Sequence, residues 1–201
     1  MKKTFGIIGA GNIAQALAPH LLGAGHQVIL SNTKGPQTLQ KIIVSLGAGA
    51  KAGTFKEAVE ADIILLALPW TQLASLNGLT DWNNRMVIDA TNCFITLAPD
   101  FKTADLSGRP SSEIVAGYVP GARLVKAFNT LHHKLLAKKP QEANGKRVLF
   151  ISGDDQEAKA EVSHVIESMG FAPVDLGSIA EGSKLHQTKG PLAGLNLIKA
   201  S

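Results

Sequence analysis

Cysteine occurs once in this 201-residue sequence, at Cys93. No intrachain disulfide can form, which fits a reducing compartment, and a lone thiol without partners at ligand spacing holds no metal. Cys93 reads as a small buried residue rather than a nucleophile. Tyrosine also occurs once, at Tyr118, and no Ser-Tyr-x-x-x-Lys arrangement or catalytic Lys/Asp pair is visible. Charged residues are sparse, at 18% against 45% hydrophobic, which speaks for buried structure and against a disordered tail. No stretch approaches the roughly 20 apolar residues of a membrane span. The opening MKKTFGIIGAGNIA has the lysines and apolar run of a secretory leader, but glycines and Asn12 break it at once and no cleavage-type site follows. A net charge of +4 is too mild to mark a nucleic-acid interface. A solvated basic surface explains most of it, and an anionic cofactor would also favour it. The expectation is a soluble, cytoplasmic protein with neither a membrane nor a nucleic-acid partner.

What is present is an alternation of strand and helix. Residues 4–9 form a short strand ended by glycine, and 12–24 a helix with Ile13, Leu17, Leu21 and Ala24 at helical spacing. Pro19 predicts a kink or an early end there. Residues 27–30 form a second strand, and Pro36 opens a helix whose buried face is Leu39, Ile42, Ile43 and Leu46. A third strand lies near Ala50, followed by a capping box at Thr54-x-x-Glu57. Residues 63–68 are continuously apolar, as in a central parallel strand buried on both faces. Strands are expected at 86–90, 124–127, 147–152 and 172–176, and helices at 112–118, 132–139 and 155–169. Residues 91–109 read as an irregular loop, and the tail as a helix broken around Gly190-Pro191. The pattern predicts one α/β domain over residues 1–201, a Rossmann-type doubly wound and mainly parallel sheet, with a core at 1–146 and a C-terminal extension at 147–201 that extends or caps the sheet.

Gly9-Ala10-Gly11-Asn12-Ile13-Ala14 matches G-x-G-x-x-G/A between the first strand and the first helix. Gly9 makes the tight turn, Gly11 lets a pyrophosphate reach the backbone, and Ala14 lets helix and strand pack closely. The phosphates would meet free N–H groups at the positive helix end. About 20 residues on, NAD-binding proteins place an acid against the ribose hydroxyls. Here the sequence reads Leu30-Ser31-Asn32-Thr33-Lys34, with no acid. Ser31, Asn32 and Thr33 can donate to a 2′-phosphate and Lys34 adds positive charge, so NADP(H) is expected over NAD(H). An ordinary polar turn before Pro36 is the plainer alternative.

In open parallel sheets ligands lie outside the carboxyl ends of the strands. Those ends read Leu68-Pro69-Trp70, Ala90-Thr91-Asn92 and Ala127-Phe128-Asn129-Thr130, where the nicotinamide is expected. Trp70 either packs against the cofactor or starts a helix in the core. Asn92 and Asn129 either bond the carboxamide or substrate, or only form turns. His132, beside His133, is the candidate acid; it is equally an exposed helix-start histidine. No metal site is expected. A hydride site without an acid–base machine suits transfer to a flavin-like ring better than carbonyl reduction, which needs a proton for the developing alkoxide.

Gly9–Ala14, the Leu68-Pro69-Trp70 segment, Val125-Lys126-Ala127-Phe128-Asn129-Thr130 and Ile151-Ser152-Gly153-Asp154-Asp155, in this order, resemble the NADPH-dependent reductases of the deazaflavin coenzyme. The cytosolic reductase domain of the six-transmembrane ferric reductases is similar. So is the N-terminal half of pyrroline-carboxylate reductases, whose long all-helical dimer domain this sequence does not contain. The resemblance implies NADPH along the strand ends, a deazaflavin or flavin (FMN or FAD) stacked on the nicotinamide, and often a homodimer. By position it implies that Ala10, Gly11, Asn12 and Ile13 hold the pyrophosphate. It gives Ser31, Asn32 and Lys34 the 2′-phosphate, and Leu68 and Trp70 the nicotinamide side. Asn32 stands where those reductases usually carry arginine, and the residues of 127–132 differ from theirs.

Three functions follow. The first is an NADPH-dependent oxidoreductase that passes hydride to a deazaflavin, flavin or similar small-molecule carrier. The second is an NADPH-sensing module without chemistry. The third is a small imine or carbonyl reductase that borrows its acid from His132.

Overall fold

The computed structural model describes residues 2–142 and 144–200. β1 (Thr4–Ile8) leads into α1 (Asn12–Gly23), β2 (Gln27–Ser31), a 3₁₀ turn (Pro36–Leu39), α2 (Gln40–Leu46) and β3 (Ala50–Gly53). The chain crosses back through α3 (Phe55–Ala58) to β4 (Ile63–Leu66), a 3₁₀ segment (Trp70–Leu76), β5 (Met86–Asp89), α4 (Ser111–Tyr118), β6 (Arg123–Ala127) and α5 (His133–Leu136). Then follow β7 (Gln141–Glu142), β8 (Gly145–Gly153), α6 (Gln156–Ser168), β9 (Ala172–Asp175), α7 (Ile179–His186) and β10 (Ile198–Ala200).

β1 to β6 are parallel, in the order β3-β2-β1-β4-β5-β6. That order defines the doubly wound dinucleotide-binding sheet, with its switch point between β1 and β4. β8 continues the sheet antiparallel to β6, and β9 runs parallel to β8. The C-terminal extension therefore lengthens the same sheet. Both faces are apolar: Ile7, Leu65, Ile88 and Val125 pack under α1, α5 and α6, and Ile8, Leu66, Val87 and Leu124 under α3, α4 and α7. Burial on both sides is why the four residues of β4 read as a continuous apolar run.

One row of register partners crosses six neighbouring strands, from β2 to β8, near the carboxyl edge of the parallel core: Ser31, Ile8, Leu66, Asp89, Lys126 and Ser152. It is apolar at the switch point and polar beyond it, and all of its members are buried.

Several local expectations change. Pro19 does not end α1, which runs on to Gly23. The helix bond it forfeits would fall on the carbonyl of Gln15, and both residues are on the exposed side, where water can take that bond. The helix expected at 132–139 shrinks to His133–Leu136. In the tail, α7 closes at His186 because Gln187 turns extended (ψ 171). Residues 198–200, in the tail expected as a helix broken around Gly190-Pro191, pair as a strand with Gly145–Arg147. The capping box is present: Glu57 N–H donates to Thr54 Oγ1 (3.2 Å) and Thr54 N–H to Glu57 Oε2 (2.7 Å).

Candidate functional site

The switch point carries the glycine loop. Gly9 takes φ +113, and a Cβ there would meet the Ala67 carbonyl oxygen at 2.2 Å, so only glycine lets β1 turn this close to the end of β4. Gly11 is exposed and a Cβ on it would meet nothing within 4 Å, leaving open space over the start of α1. Ala14 is wholly buried where helix meets strand. α1 has no acidic residue in its first turn and no side-chain cap on its leading N–H groups. Ala10 and Ile13 are half-buried and Asn12 is exposed at the mouth of this loop. Gln15 Nε2 donates to the Ala10 carbonyl (2.8 Å) and braces it.

At the end of β2 the structure redistributes the roles expected from sequence. Ser31 is wholly buried and its hydroxyl donates to the Ile7 carbonyl (2.7 Å), so that hydroxyl is not available to a phosphate in this arrangement. Asn32 shapes the turn: its Oδ1 accepts from Lys34 N–H (3.0 Å) and its Nδ2 donates to Thr38 Oγ1 (2.9 Å). Thr33 and Lys34 project as exposed residues, and no carboxylate belongs to the segment from Ser31 to Thr38. Thr38, which the sequence reading did not single out, also donates to the Gly35 carbonyl (2.7 Å) and so closes the turn.

Beyond β4 lie the ends assigned to the nicotinamide. Leu68 is buried, Pro69 exposed, and Trp70 half-buried against the α3/α4 side of the core. Trp70 thus partly fills the core role foreseen as its alternative. Ala90 and Ala127 are core residues by their side chains, 3% and 0% exposed. The chain leaves β6 through Phe128, whose ring is buried and whose φ is +65. A bulky residue in that region costs on the order of 1–2 kcal/mol and persists only where surroundings enforce it.

Under these ends sits a buried ion pair. Lys126 Nζ donates to Asp89 Oδ2 (3.1 Å) and to the Thr91 carbonyl (3.3 Å), and both charged side chains are 0% exposed. Asp89 Oδ1 accepts from the Thr91 N–H (2.8 Å) and hydroxyl (2.6 Å), and Oδ2 also from Ser112 Oγ (2.6 Å). Burial works to raise the Asp89 pKa, but the Lys126 charge, the Ser112 and Thr91 hydroxyls and the Thr91 N–H outweigh it and hold the carboxyl below the usual carboxylate range. His186 of α7 lies over the same row, its Nε2 paired with Ser152 Oγ (2.8 Å) and its Nδ1 without a partner. Burial first, then the Lys126 charge, pushes the His186 pKa down to about 3, so the ring is neutral near pH 7.

The asparagines expected to meet the ligand are largely engaged by the protein. Asn92 Nδ2 donates to the Asn129 carbonyl (3.1 Å) and its Oδ1 accepts from Thr188 Oγ1 (2.8 Å). Asn129 Nδ2 donates to the His186 carbonyl (2.6 Å), leaving its buried Oδ1 unpartnered. His132 is exposed and caps α5, its Nδ1 accepting from Lys134 N–H (3.3 Å). It lies against His133 (ring centroids 4.1 Å apart), whose pKa is lowered by burial and then by His132 and Lys134. Sequence reading missed Asp89, Lys126, Ser112 and the stretch His186-Gln187-Thr188. The first two carried a signal: a lone acid and a lone base inside strands read as buried must find a partner. Among the described residues no group of His, Cys, Asp and Glu is arranged to hold a metal ion, and no helix is long and apolar enough to cross a membrane.

The strand order, the glycine turn at the switch point and the acid-free end of β2 define a Rossmann-type dinucleotide-binding α/β protein. The family described as NADP oxidoreductase coenzyme F420-dependent matches residues 4–93. A hypothetical protein from Sinorhizobium meliloti is 43% identical and superimposes with a TM-score of 0.91, over 99% of this chain and 96% of that one. Metalloreductase STEAP3 of Rattus norvegicus is 31% identical over 183 residues, 90% of this chain and 35% of that protein. Metalloreductase STEAP2 of Homo sapiens is 25% identical over 92% of this chain and 35% of its own length. The chain thus spans about a third of the length of the curated relatives it matches. A structure from Arthrobacter sp. FB24, described as an F420-dependent NADP reductase, shares the fold at 22% identity and a TM-score of 0.74, over 88% of this chain and 86% of that one. Over residues 4–93 the chain thus resembles the F420-dependent NADP oxidoreductase family, and over most of its length it resembles about a third of the metalloreductase STEAP3.

Proposed function

We propose that the protein is an NADPH-dependent oxidoreductase that passes hydride between the nicotinamide and a planar small-molecule redox carrier of the deazaflavin or flavin type. The residues fit the cofactor: open space over Gly11, an α1 N-terminus free of acids and capping side chains, and exposed Thr33 and Lys34 with no carboxylate beside them. The first two would hold the pyrophosphate and the last two the 2′-phosphate. NADPH supplies the hydride; the protein's part is to hold and align it.

The observation that carries the choice of acceptor is the fate of the polar groups at the strand ends. Asp89 and Lys126 are sealed from solvent, His186 is buried and neutral, His132 caps a helix, Asn92 bonds to the Asn129 carbonyl and to Thr188, and Asn129 bonds to the carbonyl of His186 at the end of α7. That leaves alignment of two rings as the chemistry these residues serve, since a ring acceptor takes the hydride itself. The test is NADPH oxidation by the purified protein against deazaflavin, FMN, FAD and ferric chelates, with NADH as control. Turnover with a ring acceptor and a clear preference for NADPH is expected. Tight NADPH binding with no turnover on any of them would favour a sensor. Imine or carbonyl reduction that Ala at position 132 abolishes would favour the third function.

A further inference from the structure

The stretch that closes α7 reaches a different element of the site with each residue. The His186 carbonyl accepts from Asn129 at the end of β6. Gln187 Oε1 accepts from the Ser111 N–H at the start of α4 (2.7 Å). The Thr188 hydroxyl accepts from the Cys93 N–H (3.3 Å) and donates to Asn92 Oδ1 (2.8 Å) just past β5. Thr188 therefore ties the turn after β5 by backbone and side chain together.

The bond also decides which way the Asn92 amide faces. Its Oδ1 must face the hydroxyl it accepts from, and one Nδ2 hydrogen must face the Asn129 carbonyl. An amide has two N–H donors, so the second is left for a ligand, and Asn92 is half-buried rather than sealed. Behind it, Thr91 has its N–H, hydroxyl and carbonyl fixed by Asp89 and Lys126. The turn is thus held from the sheet on one side and from the C-terminal extension on the other. In the strand order it lies on the side of the switch point opposite the Asn32–Thr38 turn.

We propose that Thr188 is a positioning residue for the nicotinamide half of the cofactor, acting through the Asn92 amide. The assignment rests on the NADPH reading above. Its consequence is a split between the two ends of one ligand. Loss of the Thr188 hydroxyl frees the Asn92 amide to rotate and the Cys93 N–H to lose its acceptor, while the glycine loop and the Asn32–Thr38 turn are untouched.

The test measures binding of NADPH and of adenosine 2′,5′-bisphosphate, which has the 2′-phosphate end and no nicotinamide, by calorimetry on wild type, Thr188→Val, Thr188→Ser and Asn92→Ala. Thr188→Val and Asn92→Ala are each expected to weaken NADPH about tenfold, the scale of one lost hydrogen bond to a well-held group, with adenosine 2′,5′-bisphosphate affinity unchanged. Thr188→Ser restores NADPH affinity. Where an acceptor turns over, kcat falls further than affinity, because misplacement of about 1 Å costs up to a hundredfold in rate. Equal weakening of both ligands, no weakening of either, or Ser behaving like Val would overturn the assignment alone. Should Thr188→Val not fold, Asn92→Ala and Thr188→Ser still carry the comparison. Failure of the wild type to bind either nucleotide would instead overturn the cofactor reading and the assignment with it.

Discussion

Removing one partner of the Asp89–Lys126 pair should cost far more than removing both charges. Lys126→Met keeps much of the stem's volume and deletes the ammonium, leaving a carboxylate with no exposed surface and no countercharge. Breaking such a pair one-sidedly costs about 3–5 kcal/mol, a large share of the roughly 5–15 kcal/mol that holds a domain folded. At about 2–4 °C per kcal/mol for a chain of this size, the midpoint drops by about 6–20 °C. Asp89→Asn added to Lys126→Met changes the balance. An amide oxygen can still accept from the Thr91 N–H and hydroxyl, and an amide N–H can donate to Ser112 Oγ, where the carboxylate now accepts. With no charge left to desolvate, the double variant should lie within about 2 kcal/mol of wild type. The pH dependence gives a second check. In the wild type the Asp89 pKa is lowered, so its stabilisation is present above the unfolded value of about 4 and fades as pH falls below it. In Lys126→Met burial dominates, the folded pKa rises above the unfolded one, and the variant should regain stability as pH falls toward the unfolded value of about 4. Urea melts at two pH values on the four members of the cycle measure all of this. Additive losses, or a Lys126→Met loss under about 1 kcal/mol, would refute the idea that the pair is electrostatically sealed.

The two glycines of the loop should fail differently. Gly9→Ala forces a Cβ against the Ala67 carbonyl at positive φ and should lower the thermal midpoint, whereas Gly11→Val enters open space and should keep the midpoint while losing NADPH binding by titration. Lys34→Ala should weaken NADPH by about tenfold and leave NADH within about twofold, narrowing the preference between them; equal loss for both would remove Lys34 from the 2′-phosphate. His186, with its folded pKa depressed to about 3, contributes stability that is complete above the unfolded value near 6.5 and is lost as pH falls toward 3, with a slope of at most about 1.4 kcal/mol per unit. His186→Gln should flatten that acid limb in denaturation at stepped pH; His26 and His133, also lowered, leave a residual slope. An unchanged limb would mean that His186 does not titrate with folding.

The parallel core was legible because its signals are local. An apolar run such as Ile63–Leu66 needs no partner to be read as a doubly buried strand, and Gly9, Gly11 and Ala14 carry their reasons in their own size. The tail was not legible for the opposite reason. β10 is exposed along its length and exists through pairing with the start of β8, some fifty residues away in sequence, so no periodicity announces it. Ser31 shows the same limit at the scale of one hydroxyl. Its position at the end of β2 was right, but whether a serine faces a ligand or the neighbouring strand is decided by the Ile7 carbonyl 2.7 Å away.

The candidate site has little free chemistry because the fold uses its polar groups to hold itself open at the strand ends. β5 and β6 end side by side, and a strand end leaves backbone groups that need partners. The family of Asn92, Asn129, Thr91 and Thr188 bonds meets that need across β5, β6 and the C-terminal extension, next to the left-handed backbone of Phe128. A carbonyl reductase that drew its acid from one of these groups would lose the bond that positions it. A ring acceptor asks for no such donor. Engineering a proton donor here, for instance Thr188→Asp, should therefore trade away nicotinamide alignment before it gains carbonyl reduction, and comparing ring-acceptor with carbonyl turnover in that variant shows which limit dominates.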